Sequence, residues 1–223
     1  MDYHSYPVTK QKIFLAASEL FSRSCYADIG VREIADKAGV KVPTVYNHYQ
    51  SKEAILDDLF QYCTDQISQF YDSFLDMDYD QEPMECFQKM IIAFEEDSVL
   101  MRQLIRITLN EQYRSFQAAK IIYDIMLRKS KQRYYDYFFY LKNKGVIKYE
   151  GIESFAEILA RIGITFAMQL SRDDEIRMRP DYHVVMMDVF DALLKYSPPE
   201  DREEDPWMCF AHEQQLTSLG TPD

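Results

Sequence analysis

The sequence predicts an all-α fold, with a small N-terminal three-helix unit followed by a larger helical region. Three observations lead there. Only six of the 223 residues are glycine, no stretch alternates apolar and polar residues over strand length between hairpin turns, and apolar residues recur at helical spacing along the chain. With 47% hydrophobic and 28% charged residues, the composition is that of a chain able to bury a core.

The first helix is marked by Ile13, Ala16, Ala17, Leu20 and Phe21, which fall on one stripe, with Thr9 as its candidate cap. A second helix of about two turns carries Val31, Ile34, Ala35 and Ala38, and Gly39 follows where a left-handed cap ends a helix. Pro43 suits the first turn of a third helix, and Ser51 caps a fourth whose early Glu53 complements the helix dipole. Longer helices are expected at about 51–75, 83–96, 98–111, 115–143, 152–171 and 181–196, with Pro83, Gly145, Gly151 and Pro180 between them. From Pro198 the composition turns to proline and acids, a solvated tail in which Trp207, Met208 and Phe210 form an apolar cluster. The expected units are 1–52, 53–197 and the tail 198–223.

The net charge of −12 is unevenly spread. Up to Lys52, seven basic residues face five acids, a net of +2, so the remaining 171 residues carry −14. Such asymmetry suggests different partners for the two parts. No apolar run is long enough to span a membrane, and Met1 to Thr9 lacks the features of a secretion signal, so a cytoplasmic protein is expected. Cys25, Cys63, Cys86 and Cys209 are scattered and read as buried free thiols. His4, His48, His183 and His212 lie in different segments, and no phosphate loop or nucleophile elbow is present. No enzyme, cofactor or metal centre is expected.

Two short helices joined by a glycine turn, the second opening on small, polar and aromatic residues, make a helix-turn-helix. At about 100° per residue, Val45 and Tyr49 turn inward while Pro43, Thr44 and Asn47 turn outward, with Tyr46 and His48 on the flanks. Such a face suits the major groove, where base edges are distinguishable, and its flanks suit phosphates.

Residues 9–60 resemble the DNA-binding region of the TetR family of bacterial regulators. The resemblance rests on Ile13, Ala16-Ala17, Leu20-Phe21, Tyr26, Val31 to Ala35, Ala38-Gly39-Val40, Pro43 to Tyr46, Tyr49 and Ser51-Lys52-Glu53. It implies phosphate contacts from Thr44, Tyr46, His48 and Lys52, base reading by or beside Lys41, Val42, Pro43 and Asn47, and a base or phosphate contact from Arg32. Two positions depart from the family pattern: Cys25 stands where glycine is usual, and Gly30 where Ser or Thr caps the second helix. Gly30 offers no hydroxyl to a phosphate, though a backbone N–H at that helix start can substitute.

One such unit reads a half-site, so a homodimer on double-stranded operator DNA is expected. Phe155, Leu159 and Phe166 of one helix and Val185, Val189, Phe190 and Leu193 of the next are the candidate dimer contacts, paired into a four-helix bundle with the twofold mate. Met90, Phe94, Met101, Tyr123 and Met126 suit an adaptable pocket for an unidentified small-molecule effector. The expected function is a ligand-responsive repressor. The alternative is a helical protein-interaction adaptor with a repurposed helix-turn-helix.

Overall fold

The computed structural model describes residues 3–73, 78–95, 99–170 and 180–196, with the backbone alone described at 90–95, 166, 169–170 and 180–183. Every regular element among the described residues is helical. A 3-10 turn, Tyr3–Ser5, leads into α1 (Val8–Arg23) and a second, Tyr26–Asp28, leads into α2 (Val31–Ala38). Then come α3 (Val42–His48) and α4 (Lys52–Ser73), followed by α5 (Pro83–Glu95), α6 (Val99–Glu111), α7 (Phe116–Lys120), α8 (Ser130–Asn143), α9 (Ile152–Leu170) and α10 (Pro180–Lys195). The expected tail 198–223, with Cys209 and the Trp207 to Phe210 cluster, lies outside the described residues.

Most boundaries follow from single residues. Pro83 opens α5, Pro180 opens α10, and the Ser51 hydroxyl accepts the Ala54 N–H at 3.2 Å to cap α4. The Glu53 carboxyl sits below the usual carboxylate range, held there first by its own backbone N–H and then by the Ser51 hydroxyl. Thr9, expected to cap α1, instead lies inside its first turn. The helix begins one residue after Pro7, whose fixed φ and missing N–H cost nothing at that position.

The helix expected over 115–143 is continuous but not uniform. Between α7 and α8, Ile121–Lys129 winds as a π-helix, and its flanking caps remain right-handed helical. The wider turn was invisible in the sequence, since π winding reflects packing, here against α4 and α9, rather than residue preference.

Helix α1 is buried on two sides. The expected stripe is there, with Ile13, Ala16, Ala17 and Phe21 buried and Leu20 partly so, but Phe14, Ser18 and Ser22 are buried as well. Phe14 stands edge-on to Tyr62 of α4 at 5.6 Å, and the Ser18 hydroxyl lies 2.9 Å from Gln103 Oε1 of α6. The first 52 residues therefore share their packing with the helices behind them. At the far end Phe190 of α10 stacks on Phe87 of α5 at 4.1 Å and lies within 6.0 Å of the Tyr137 and Phe138 rings of α8.

The α2–α3 turn rests on Gly39, at φ 68° and ψ 35°. Its N–H reaches the Asp36 carbonyl at 3.1 Å, and the Val40 N–H reaches the Ala35 carbonyl at 2.9 Å, closing the end of α2. No atom lies within 4 Å of where a Cβ would stand, so a side chain there meets a conformational cost alone. Gly39→Ala is expected to cost about 1–2 kcal/mol, the left-handed penalty of an L-residue, with Gly39→Asn losing less. Thermal melts of the three proteins check this, and equal melting temperatures would refute the role of the positive φ.

Candidate nucleic-acid interface

Helix α3 begins after Lys41, whose backbone is extended and whose carbonyl accepts the Thr44 N–H at 2.8 Å. Pro43 occupies the first turn, where its lack of an N–H is harmless. Val45 and Tyr49, 1% and 5% exposed, fasten one side of the helix to the core. On the other side Lys41, Pro43, Tyr46 and Asn47 are exposed, while Val42, Thr44 and His48 are half-buried. Arg32, near the start of α2, is exposed too. The arrangement offers a flexible amide, a phenol and two cations beside a short rigid helix, the chemistry that base edges and phosphates accept.

Lys52 is used differently from the phosphate contact expected of it. Its Nζ donates to the carbonyls of Tyr26 and Ile29, both at 2.9 Å, and sits 4.0 Å from the centre of the Tyr26 ring. The ammonium thus clasps the turn that delivers the chain into α2. Gly30 also differs: its N–H, the substitute donor at the α2 start, already donates to Glu33 Oε1 at 2.9 Å. Having no side chain, Gly30 supplies only the backbone half of a capping box. Cys25 fits where glycine is usual because its φ of −59° asks for no left-handed backbone, and Arg114 Nη1 donates to its Sγ at 3.1 Å. It is half-buried, while Cys63 and Cys86 are buried.

A cluster that sequence reading missed joins α3 to its neighbours. Asp58 of α4 accepts the Tyr6 hydroxyl on Oδ1 at 2.6 Å and the Tyr49 hydroxyl on Oδ2 at 2.8 Å, and Lys10 Nζ of α1 lies 3.0 Å from Oδ2. Lys10 also stands 3.6 Å over the Tyr6 ring. Burial, then the bond to Asp58, raises the Tyr49 phenol above the usual tyrosine range. These residues are up to 52 positions apart, so no local pattern announces them.

Of the expected dimer contacts, Leu159, Phe190 and Leu193 are at most 2% exposed and belong to the protomer's own core. Phe155 and Val189 are half-buried, Val185 is 46% exposed, and the Phe166 side chain lies outside the described residues. Among the described side chains, the exposed large apolar residues of these helices include Ile158 and Met168 on α9 and Val184 and Val185 on α10. A helix apolar on several faces gives no sign of which one the protomer consumes, and the stripe through Leu159 is the consumed one. Tyr149 bridges the pair, with its ring 6.4 Å from Phe155 and 5.0 Å from Tyr196. Of the expected effector contacts, Met126 is buried and Met101 half-buried, whereas Tyr123 points outward at 72% exposure. The Met90 and Phe94 side chains lie outside the described residues. Among the described residues no three His, Cys, Asp or Glu side chains are grouped to hold a metal, and no helix is long and apolar enough to cross a membrane.

The Lys52 clasp is testable without DNA. Lys52→Met keeps the aliphatic stem but leaves two carbonyls without their charged donor, and is expected to cost about 1–3 kcal/mol. A denaturant midpoint equal to the parent's would show that the clasp contributes nothing.

Residues 13–59 match the family model described as bacterial regulatory proteins, tetR family. The fold extends well beyond that segment. A bacterial regulatory protein in the tetR family from Rhodococcus RHA1 is 19% identical, with a TM-score of 0.63 over 88% of this chain and 100% of that one. Mycobacterium smegmatis AmtR is 17% identical, with a TM-score of 0.60 over 98% of each chain. The TetR family transcriptional regulator PfmR from Thermus thermophilus is 15% identical, with a TM-score of 0.61 over 84% of this chain and 99% of that one. At these identities the structures speak for the fold alone, while the sequence match falls on the helix-turn-helix itself, so that residues 13–59 are similar to bacterial regulatory proteins of the tetR family and the helices behind them share the fold of solved regulators.

Proposed function

We propose that the protein is a ligand-responsive repressor that binds operator DNA as a homodimer, with α3 in the major groove of each half-site. The observation that carries this is the division of α3 into a fastened side, Val45 and Tyr49, and an exposed side bearing Lys41, Pro43, Tyr46 and Asn47. Asn47 has the amide geometry that pairs with adenine N6 and N7. Tyr46, Thr44 and His48 flank it with phosphate donors, and Arg32 lies at the start of α2. Lys52 supports this face from within, by holding the chain that enters α2.

Two such units meet half-sites about 34–36 Å apart, or a multiple of it, only if the protomers pair. The pairing surface we assign is the exposed apolar face of Ile158 and Met168 with Val184 and Val185, edged by the half-buried Phe155 and Val189. Effector control follows from a two-state equilibrium in which the ligand favours a half-site separation unfit for the operator. Driving the population from 1:99 to 99:1 demands about 5.5 kcal/mol of differential affinity. Met101 and Met126 remain the described candidates on the effector side, and a cytoplasmic, non-enzymatic role accompanies this reading.

Tyr46→Ala is expected to weaken binding to every duplex, and Asn47→Ala to alter preference among sequences by about 1–3 kcal/mol at the affected base pair. Titrations of a random-sequence duplex pool across a salt series check both. Binding that ignores salt, or two variants that behave as the parent, would overturn the reading and favour an adaptor. Separately, Val185→Asp, at a position the protomer leaves exposed, is expected to shift the protein from dimer to monomer in light scattering and to lower DNA affinity with it. A parent that is already monomeric removes the dimer from the proposal.

A further inference from the structure

We infer that Asp58 on α4 is a positioning residue for DNA reading: through the Tyr49 hydroxyl it fixes the tilt of α3, and so governs discrimination between duplex sequences rather than attraction to DNA in general. The inference rests on the proposed reading of DNA by α3.

Helix α3 has seven residues, and Val45 is the buried one among them. Val45 alone is a pivot. A second fixed point is needed to define the helix axis, and Tyr49, one turn further on, supplies it at the position where the helix ends. Burial of the Tyr49 ring sets its depth, but an apolar contact is non-directional and leaves rotation possible. The hydroxyl bond to Asp58 Oδ2 at 2.8 Å adds direction. Asp58 is itself held in place: its side chain is 14% exposed, its other oxygen takes the Tyr6 hydroxyl, and Lys10 neutralises it from α1 at 3.0 Å. The reading helix is therefore referenced to α4 and α1 by one carboxylate.

A slack anchor affects the two kinds of DNA contact unequally. Hydrogen bonds to base edges weaken steeply with misalignment, so a small rotation of Asn47 removes them. Phosphate attraction is long-ranged and sequence-independent, so it survives the same rotation. Loss of Asp58 or of the Tyr49 hydroxyl should accordingly erode preference while sparing general affinity.

The experiment selects a preferred duplex for the full-length parent from a random-sequence pool, then measures its affinity relative to that of the bulk pool. Tyr49→Phe keeps the ring and deletes only the hydroxyl; Tyr6→Phe removes an equivalent bond to the same carboxylate without touching α3. Tyr49→Phe and Asp58→Asn are expected to lower the affinity ratio about tenfold, the worth of a good base contact, with pool affinity retained. Tyr6→Phe is expected to keep the parent's ratio whatever it does to the melting temperature. The inference is overturned if Tyr49→Phe keeps the parent's ratio, or if Tyr6→Phe lowers it equally, which would mark the network as structural support alone. Should Asp58→Asn fail to fold, Tyr49→Phe decides. A parent that selects no duplex at all sinks the DNA-reading proposal itself, and this inference with it.

Discussion

Burial of α1 on two sides is the constraint from which the rest of the structure follows. One side closes the helix-turn-helix through Ile13, Ala17 and Phe21, and the other meets α4 and α6 through Phe14 and Ser18. Each fully buried phenylalanine contributes about 1.5–3 kcal/mol relative to an exposed one. Ser18, with no exposed surface, is small enough to let α6 approach and polar enough to meet Gln103 there. A helix wedged in this way cannot tilt towards one unit without disturbing the other. The depth at which α3 sits against the helices behind it is thus set by packing, and direction is left to the polar contacts.

That double burial also marks the limit of what was legible in the sequence. Helices α1 to α4 were readable because one stripe, one glycine turn and two caps state them locally, and the later helix limits followed prolines and glycines to within two residues. What the stripe of Ile13 to Phe21 does not state is that Phe14 is also buried, because its partner Tyr62 belongs to α4, and the partner of Ser18 lies 85 residues away. The same reasoning explains α9. Ile158 and Leu159 are adjacent in sequence and about 100° apart on the helix, both apolar, and only tertiary packing reveals that Leu159 is taken up inside while Ile158 is left outside.

Lys52 shows a different kind of blind spot. A lysine beside a reading helix looks like a phosphate ligand, and its charge is indeed what matters, but the nearest acceptors are two carbonyls of its own chain. The Tyr26 carbonyl opens the turn Tyr26–Asp28 and also accepts the Ile29 N–H at 3.4 Å, and the Ile29 carbonyl follows the turn's end. A charged donor shared by two carbonyls makes a stronger bond than a neutral N–H does, which favours the inward arrangement.

The internal use of cations bears on how an acidic protein attracts DNA. Of the seven cations up to Lys52, Lys10 pairs with Asp58, Lys37 and Arg23 with Glu19, and Lys52 with backbone carbonyls. Lys12 on α1, Arg32 near the start of α2 and Lys41 at the cap of α3 stand exposed. Screening at physiological salt confines their pull to about 8 Å, so the acidic helices further along the chain subtract little from it. On the proposed reading, few of these cations are left for phosphates, so a larger share of useful affinity falls to well-aligned contacts with base edges. That places unusual weight on the tilt of α3, and hence on the two buried residues, Val45 and Tyr49, that hold it.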